Sequence, residues 1–192
     1  MQVNPTIYQH QMNTYSDSQI LTEFRRRRYM EPVRDDCTIE RVDGVSVDQL
    51  LMDEIRQWYA RLIDTAPAEL LATEDVANEV TMEVISGTGA VRLTLPDDVR
   101  RVISLTIEGN PVAVLPVKDD NQPLKALQSN PFTRGGRMRP VALIDSTNRI
   151  TLFAHDGAGN PPVLMSLTAV RLTPGEYRFD ERAWETVPQI KI

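Results

Sequence analysis

Cysteine and histidine are nearly missing from this sequence, and no long apolar run occurs in it. The 192 residues include one cysteine, Cys37, and two histidines, His10 and His155. These numbers exclude an internal disulfide framework and a zinc cluster of the Cys/His type. No stretch approaches the ~18 apolar residues that cross a bilayer, and the first residues lack the basic and apolar regions of a secretory signal. We therefore expect no membrane contact and a setting in the cytosol or in a particle assembled there.

An excess of basic charge is also absent. The chain carries 27 acidic against 21 basic residues, with a net charge of −6 and a pI near 5.0. A protein of this kind does not bind nucleic acid through its overall charge. The charges are nevertheless segregated, since residues 21–34 hold five arginines against two glutamates and residues 35–79 hold twelve acidic residues against three arginines. A second basic stretch, NPFTRGGRMRP, contains Arg134, Arg137 and Arg139 and no acidic residue.

The first residues of the chain predict an arm followed by a helix. Residues 1–17 are polar and lack periodicity, so we expect an extended arm that becomes ordered only when something binds it. The stretch SDSQILTEFRRRRYM then predicts a helix that begins at Ser16 or Ser18 and ends before Pro32.

A second and clearer helix is predicted from Ser46, which with Gln49 has the spacing of a capping box. Apolar residues then recur every three or four positions and form a broad stripe. Two helices cannot bury so wide a stripe, and we expect it to pack on the β part of the chain or on another subunit. Its members include Leu51, Ile55, Trp58, Tyr59 and Leu62.

From Val80 onward the apolar period changes to two. VTMEVISGTGAVRLTL predicts a hairpin around SGTG, and further strands are predicted at RVISLTIE, PVAVLPV, VALID, RITLFA and VLMSLTAVRL, with one or two helical turns at PLKALQS. Strands joined by short turns predict an antiparallel sheet. We expect an α+β fold with N-terminal helices on an antiparallel β-sheet or small β-sandwich. Its predicted regions are an arm (1–17), a helical region (18–79), a β domain (80–178) and a C-terminal tail (179–192).

No recognisable catalytic motif occurs in the sequence. His155 and Asp156 lie in a loop rich in glycine and proline, but no Gly-x-Ser-x-Gly motif supplies a nucleophile. Cys37 lies among acidic residues, which disfavour the reactive thiolate. Adjacent aspartates converge poorly and chelate a metal ion badly; such pairs occur at 35–36, 97–98 and 119–120. We expect no enzyme activity, no metal and no cofactor, with a small hydrolase that uses His155 as the weakest alternative.

Four successive arginines, Arg25, Arg26, Arg27 and Arg28, leave three interpretations open. On a helix they point about 100° apart, so they cannot all face one groove. Pairing with carboxylates of a neighbouring copy is the favoured interpretation, because basic and acidic segments occur on the same chain. Pairing within the chain or exposure to solvent is the second, and contact with nucleic-acid phosphates is the third. The arginines of NPFTRGGRMRP are open to the same interpretations.

The stretch LPDDVRRV predicts a corner between two strands. Pro96 has no N–H to donate and therefore ends the first strand. Asp97 or Asp98 then caps one helical turn, and the chain re-enters the sheet at residues 103–107. Arginines toward the end of this turn suit its dipole. A corner is therefore favoured over a catalytic or metal site.

The features of residues 46–172 follow a recognisable order: a helical part, a strand, the corner, a strand ending in Gly-x-Pro, and an Asn-Pro loop with Arg-Gly and Arg-Pro. The residues that carry this order are Leu95, Pro96, Asp97, Val99, Arg100 and Val102; Gly109 and Pro111; and Asn130, Pro131, Arg134, Gly135, Arg139 and Pro140. The pattern resembles the head-to-tail adaptor and ring proteins of short-tailed bacteriophages, the tail tubular protein A class, and especially the ring proteins of crAss-like phages. The ending DERAWETVPQIKI departs from it, because adaptors commonly finish with a longer helix.

The resemblance implies a structural virion protein without catalytic residues. Members of the group form a dodecameric ring in the neck, which joins the portal to the tail and surrounds the DNA channel. The implied partners are further copies of the chain, the portal protein and other ring or tail nozzle proteins, with non-specific contact to channel DNA. The implied location is the virion neck, assembled in the host cytoplasm. A nucleic-acid-binding module that uses the arginine-rich segments is the alternative.

Overall fold

Two compact units make up the part of the chain that the structure describes. In this computed structural model the described residues are 12–29, 46–110, 112–154 and 161–187, without the side chains of residues 28 and 29. The first unit combines the residues up to 72 with those from 173 onward, and the second comprises residues 73–172. Helices and mainly antiparallel strands occur together, which confirms the predicted α+β class.

The second unit is inserted between the two parts of the first. The first unit contains β1 (Met12–Ser16), α1 (Asp17–Tyr29), α2 (Val47–Thr65), β10 (Glu176–Asp180) and two 3₁₀ helices (Ala68–Leu70 and Glu181–Thr186). The second contains β2 (Glu74–Asp75), a 3₁₀ helix (Ala77–Glu79), β3 (Thr81–Ile85), β4 (Ala90–Thr94), β5 (Val99–Ile107), β6 (Val117–Lys118), α3 (Gln122–Ser129), β7 (Val141–Ile144), β8 (Arg149–Phe153) and β9 (Leu164–Arg171).

Phe179 on β10 is at the centre of the first unit's core. Its side chain is fully buried, and its ring centroid lies 5.3 Å from those of both Trp58 and Trp184. Tyr15 on β1 stacks on the same ring at 5.4 Å. Most of the predicted stripe of α2 is buried, including Leu51, Ile55, Trp58, Tyr59 and Leu62, whereas Leu50 at its beginning is exposed. Because the stripe packs within the chain, it needs no second subunit to cover it.

The pairing of β1 with β10 corrects two predictions. Met12 lies opposite Asp180 and Ser16 opposite Glu176 in an antiparallel register. Residues 12–16 therefore form a strand rather than part of an unstructured arm, and residues 179–187 belong to the first unit rather than to a separate tail. Both depend on a partner more than 150 residues away, which local periodicity does not register. The remainder of the arm (1–11) and of the tail (188–192) lies outside the described residues.

The beginning of α2 differs from the predicted capping box. Ser46 occupies the N-cap position, but its side chain makes no cap hydrogen bond. Asp48, in the first turn, instead pairs with Arg25 of α1. A negative charge at this position also suits the helix dipole. The predicted end of the first helix before Pro32 lies outside the described residues.

Two sheets pack on a common core in the second unit. The larger has the order β3-β4-β8-β7-β6 and is antiparallel except for the β6–β7 pair, and the smaller is antiparallel with the order β2-β9-β5. Buried residues from both sheets form one cluster, including Val91, Leu93, Ile150 and Leu152 from the larger and Leu105, Leu167 and Ala169 from the smaller. The parallel pair was not predicted.

The boundaries predicted for the β domain also change. The unit begins at residue 73 rather than 80, because β2 pairs with β9, and it ends at residue 172 because β10 pairs with β1. The strand predicted at PVAVLPV is reduced to an isolated bridge between Leu105 and Val114 and the two-residue β6. The helix predicted at PLKALQS is present as α3, capped by the Asn121 side chain, which accepts a hydrogen bond from the Leu124 N–H.

The corner at LPDDVRRV is a tight turn and contains no helical turn. The Val99 N–H donates to the Pro96 carbonyl oxygen at 3.1 Å, and β5 begins at Val99 rather than at residue 103. The corner leads from the larger sheet, which contains β4, to the smaller sheet, which contains β5. The prediction that Asp97 or Asp98 caps a helical turn is therefore wrong. Asp97 is exposed, whereas Asp98 is only partly so.

Arg171 on β9 holds the corner in place. Its guanidinium donates to Asp98 at 2.7 Å, to Glu79 at 2.5 Å and to Glu74 at 3.2 Å. The hydrogen bonds to Glu79 and then to Asp98 raise the pKa of Arg171 further above its usual value. Only 18% of the Arg171 side chain is exposed, so solvent screens this cluster less than an open surface pair.

We predict that Asp98→Ala lowers the free energy of unfolding by about 1 kcal/mol, because it removes a charge-assisted hydrogen bond to a mostly buried guanidinium. Asp97→Ala, the matched control one residue earlier, should change it by less than about 0.5 kcal/mol. Urea unfolding followed by circular dichroism measures both. A cost for Asp97→Ala equal to or above that for Asp98→Ala would contradict this assignment.

The hydroxyl of Tyr177 should make the stability of the first unit depend on pH in the alkaline range. Burial, and then the hydrogen bond that its hydroxyl donates to Asp17 at 2.9 Å, raise the pKa of Tyr177 to about 12. The unfolded chain releases this proton near pH 10. The contribution of the protonated Tyr177 hydroxyl to the stability of the first unit is therefore complete below pH 10 and is lost as the pH rises from about 10 to 12.

Between pH 9 and pH 11, the unfolding free energy of the wild-type chain should fall relative to that of Tyr177→Phe, because only the wild-type chain has this hydroxyl. Tryptophan fluorescence during urea unfolding reports on this unit through Trp58 and Trp184. Parallel pH profiles for the two proteins would show that the folded chain does not retain the Tyr177 proton more tightly.

Candidate interaction surfaces

Three arginines of α1, Arg25, Arg26 and Arg27, pair with carboxylates within the first unit. Arg25 pairs with Asp48 of α2, and the contacting atoms of both side chains are buried. Arg26 donates to Glu23 at 2.8 Å. Arg27 donates to Glu181 at 2.9 Å, and its guanidinium carbon also lies 4.8 Å from the centroid of the Trp184 ring. The three side chains thus leave the helix in different directions, as successive positions on a helix require.

Pairing between copies was the interpretation favoured for these arginines, and the structure gives three of them partners in their own chain. Arg25 and Arg27 each link α1 to another element, and Arg26 pairs with its own helix at Glu23. The side chain of Arg28 lies outside the described residues. Arg26 is the most exposed of the three, with 66% of its side chain accessible. The structure therefore offers no unpaired basic ridge along the described part of α1.

An open pocket of about 720 Å³ lies beside the end of this helix. Its lining combines arginines with glutamates and one aromatic ring: Arg26, Arg27, Glu181, Arg182, Trp184 and Glu185. Arg182 donates to the buried Asp180 at 2.8 Å, which fixes its position. Because charges of both signs line this open site, the pocket does not by itself indicate one class of ligand.

Arg134 holds the basic loop at residues 130–139 to the rest of the second unit. Its guanidinium donates to the carbonyl oxygens of Gln128 at 2.8 Å and Thr88 at 2.6 Å. The buried Gln128 side chain in turn accepts from the Gly135 N–H at 2.8 Å. Arg134 therefore satisfies backbone acceptors from α3 and from the β3–β4 turn, and is not available for a phosphate.

Arg137 lies directly over Gly109, the turn residue at the end of β5. A Cβ atom on Gly109 would lie 2.1 Å from a guanidinium nitrogen of Arg137, and Gly109 has a φ of +75°. The Asn110 side-chain amide also donates to the Arg137 carbonyl oxygen at 3.3 Å. Two separate parts of the sequence pattern, Gly109 and the Arg-Gly loop, are thus in contact. Glycine fits this position for both its conformation and its lack of a side chain.

The same loop exposes two large apolar side chains that the sequence analysis did not single out. Phe132 is 96% exposed and Met138 is 90% exposed. Arg137 and Arg139, which flank Met138, are also exposed and have no ion pair among the described residues. The available signal was the presence of phenylalanine and methionine in a segment rich in glycine and arginine, where no periodicity assigns them to a core. We call residues 130–139 the apolar–basic loop.

Strand β3 forms a second exposed surface, the β3 edge, comprising residues 81–85. It ends the larger sheet and pairs with β4 alone among the described strands. Met82 and Val84 lie opposite Leu93 and Val91 of the core, yet 42% and 51% of their surfaces are exposed. Opposite residues of an antiparallel pair lie on the same face, so the core row of the sheet continues to the edge without cover.

The described residues contain no group of three His, Cys, Asp or Glu side chains arranged to hold a metal ion. His155, on which the hydrolase alternative rests, lies outside those residues, as does Cys37, so that alternative stays a prediction. None of the helices in the described ranges is both long and apolar enough to pass through a bilayer.

The chain matches no protein-family model and no curated protein.

The contact between Gly109 and Arg137 predicts a coupling that can be measured. Gly87 has the same backbone conformation, with a φ of +78°, but no atom within 4 Å of a Cβ. Gly109→Ala and Gly87→Ala should each cost about 1 kcal/mol of stability through positive φ alone. In addition, Gly109→Ala should displace Arg137, whereas Gly87→Ala should not.

Double-mutant cycles with Arg137→Ala separate the two effects. We expect a coupling energy of about 0.5 kcal/mol or more between positions 109 and 137, and none between 87 and 137. Equal couplings for both glycines would mean that the Arg137 side chain does not pack on Gly109.

Proposed function

We propose that this chain is a structural subunit of a ring in the neck of a short-tailed bacteriophage, where it joins the portal to the tail around the DNA channel. The observation that carries the proposal is the apolar–basic loop. This loop holds the Asn-Pro and Arg-Gly elements of the resemblance and the arginine of its Arg-Pro element, and it contacts Gly109, which belongs to the same pattern. A purely structural subunit needs surfaces for partners rather than a catalytic centre, and the loop is such a surface.

The composition of the loop supports contact with protein. Phe132 and Met138 each expose 90% or more of their surface, and methionine and aromatic residues are enriched at protein interfaces together with arginine. The apolar side chains offer a partner an anchor, and the two arginines beside them offer positive charges that acidic groups of the partner can match. The partners we propose are neighbouring copies in a dodecameric ring, the portal protein, and other ring or tail nozzle proteins.

A nucleic-acid-binding module is the second candidate, favoured by the exposed Arg137 and Arg139. Against it, Arg25, Arg26 and Arg27 are paired with carboxylates, and Arg134 is bound to backbone oxygens. Two exposed arginines per copy neutralise few phosphates, so binding by one copy would be weak at physiological salt. In a ring, the same arginines could contact the channel DNA non-specifically.

The proposal predicts that the chain is present in purified virions of the phage that encodes it, in a ring between portal and tail. Phe132→Ser and Met138→Ser should reduce its incorporation at least tenfold, because each removes an apolar anchor. Leu50→Ser makes a similar change on α2 in the first unit, where Leu50 is 44% exposed, and should leave incorporation unchanged. Mass spectrometry of particles and electron cryomicroscopy provide the measurements.

Thermal unfolding of each variant is the folding control, since serine at an exposed position should leave the melting temperature within a few degrees. Absence of the wild-type chain from virions would refute the proposal. Tight, salt-dependent binding of an isolated copy to duplex DNA, lost in Arg137→Ala/Arg139→Ala, would favour the nucleic-acid module instead.

A further inference from the structure

The β3 edge carries a pattern that specifies a particular kind of partner strand. On the core face, Met82 and Val84 continue the row of Leu93 and Val91 but remain about half exposed. On the other face, Glu83 lies opposite Arg92, with 3.5 Å between their charged groups. The edge therefore presents apolar, acidic and apolar side chains in succession.

An added strand must match this alternation to be stable. Successive side chains of a strand point to opposite faces, so a complementary strand would place two apolar residues beside Met82 and Val84 and a basic residue beside Glu83. Strand addition also satisfies the backbone N–H and C=O groups along an open edge. The required sequence is apolar, basic, apolar.

The sequence Ile190-Lys191-Ile192 has this pattern and lies outside the described residues. In either strand direction, pairing Lys191 with Glu83 places the two isoleucines beside Met82 and Val84. Lys191 would then extend a row of alternating charges through Glu83 to Arg92, which is 42% exposed. The side chains therefore match whether the added strand runs parallel or antiparallel to β3.

We propose that residues 189–192 of one copy add as a strand to the β3 edge of a neighbouring copy. The inference rests on the proposed ring, because it names one surface through which neighbouring copies join. The contact is heterologous, since the donated segment and the accepting edge are different parts of the chain. Contacts of this type propagate around a closed ring or along an open filament.

The lysine content of the chain makes a direct test possible. Lys118, Lys125 and Lys191 are its three lysines. A carbodiimide joins a lysine amine to a carboxylate in direct contact: it activates the carboxylate, the amine displaces the resulting urea, and an amide bond forms with net loss of water. Lys125, which lies 2.7 Å from Asp119, provides an internal positive control within each copy.

The experiment uses an equimolar mixture of ¹⁵N-labelled and unlabelled full-length chain, treated with carbodiimide and analysed by peptide mass spectrometry. We expect an amide between Glu83 and Lys191 that joins labelled to unlabelled peptides in about half of the linked pairs. Linkage only between peptides of the same isotope would place the contact within one copy and overturn the inference. Failure to link Glu83 to Lys191, while Lys125 links to Asp119, would also overturn it.

Charge reversal tests whether Glu83 and Lys191 recognise each other. Glu83→Lys and Lys191→Glu should each abolish the linkage and weaken self-association twofold to fivefold. The double variant should restore the linkage and part of the association, because a lysine at position 83 would face Arg92. Glu108→Lys and Lys118→Glu make the same charge changes at other exposed positions of the second unit and should have no effect. Val84→Asp should weaken association at least tenfold, because its carboxylate would lie beside an isoleucine.

The proposed ring and the proposed strand contact can fail separately. Rings seen by electron microscopy without the Glu83–Lys191 linkage would refute the strand contact and leave the ring function intact. Linkage between copies that form only open filaments would support the strand contact and count against the ring.

Discussion

The first unit depends on the packing of residues from the end of the chain against residues near its beginning. Phe179 arrives from the far end of the sequence and packs between Trp58 of α2 and Tyr15 of β1, with Trp184 closing the cluster. Residues 12–72 alone would leave the apolar stripe of α2 exposed on the side that these rings cover. The second unit must therefore be accommodated as an insertion whose two ends both lead back to the first.

This arrangement shows which features could be predicted from sequence. Helix α2 and the β3–β4 hairpin are encoded locally, by a stripe with a period of three to four and by glycines at a turn, and both were predicted. Strand β1 has no such signal, and in the five residues of β10 the alternation is limited to Tyr177 and Phe179. β1 is polar, and its order comes from a backbone partner and an aromatic ring contributed by β10. The domain limits were misplaced for the same reason, because they follow strand pairing rather than composition.

The candidate surfaces divide in a similar way. The four arginines of α1 were conspicuous in the sequence, but side-chain direction decides their role, and a helix sends Arg25 toward Asp48 and Arg27 toward Glu181. A linear sequence does not disclose such pairings between distant elements. Met138 was inconspicuous because one apolar residue in a loop has no period. Its exposure becomes evident only when the loop is held by Arg134 and the glycine turn.

Glu83 lies at the centre of the open β3 edge and bears on which strand can be added there. An open strand edge with apolar residues on one face invites unselective pairing, and Glu83 on the other face disfavours an added strand that places an acidic residue beside it. Arg92 compensates part of that charge on one side at 3.5 Å and leaves the other side open. A strand with a lysine at the matching position pairs with Glu83 in one register only, since a shift by one residue would place an isoleucine beside the carboxylate. In the proposed contact, Glu83 thus selects the register in which the partner strand is added.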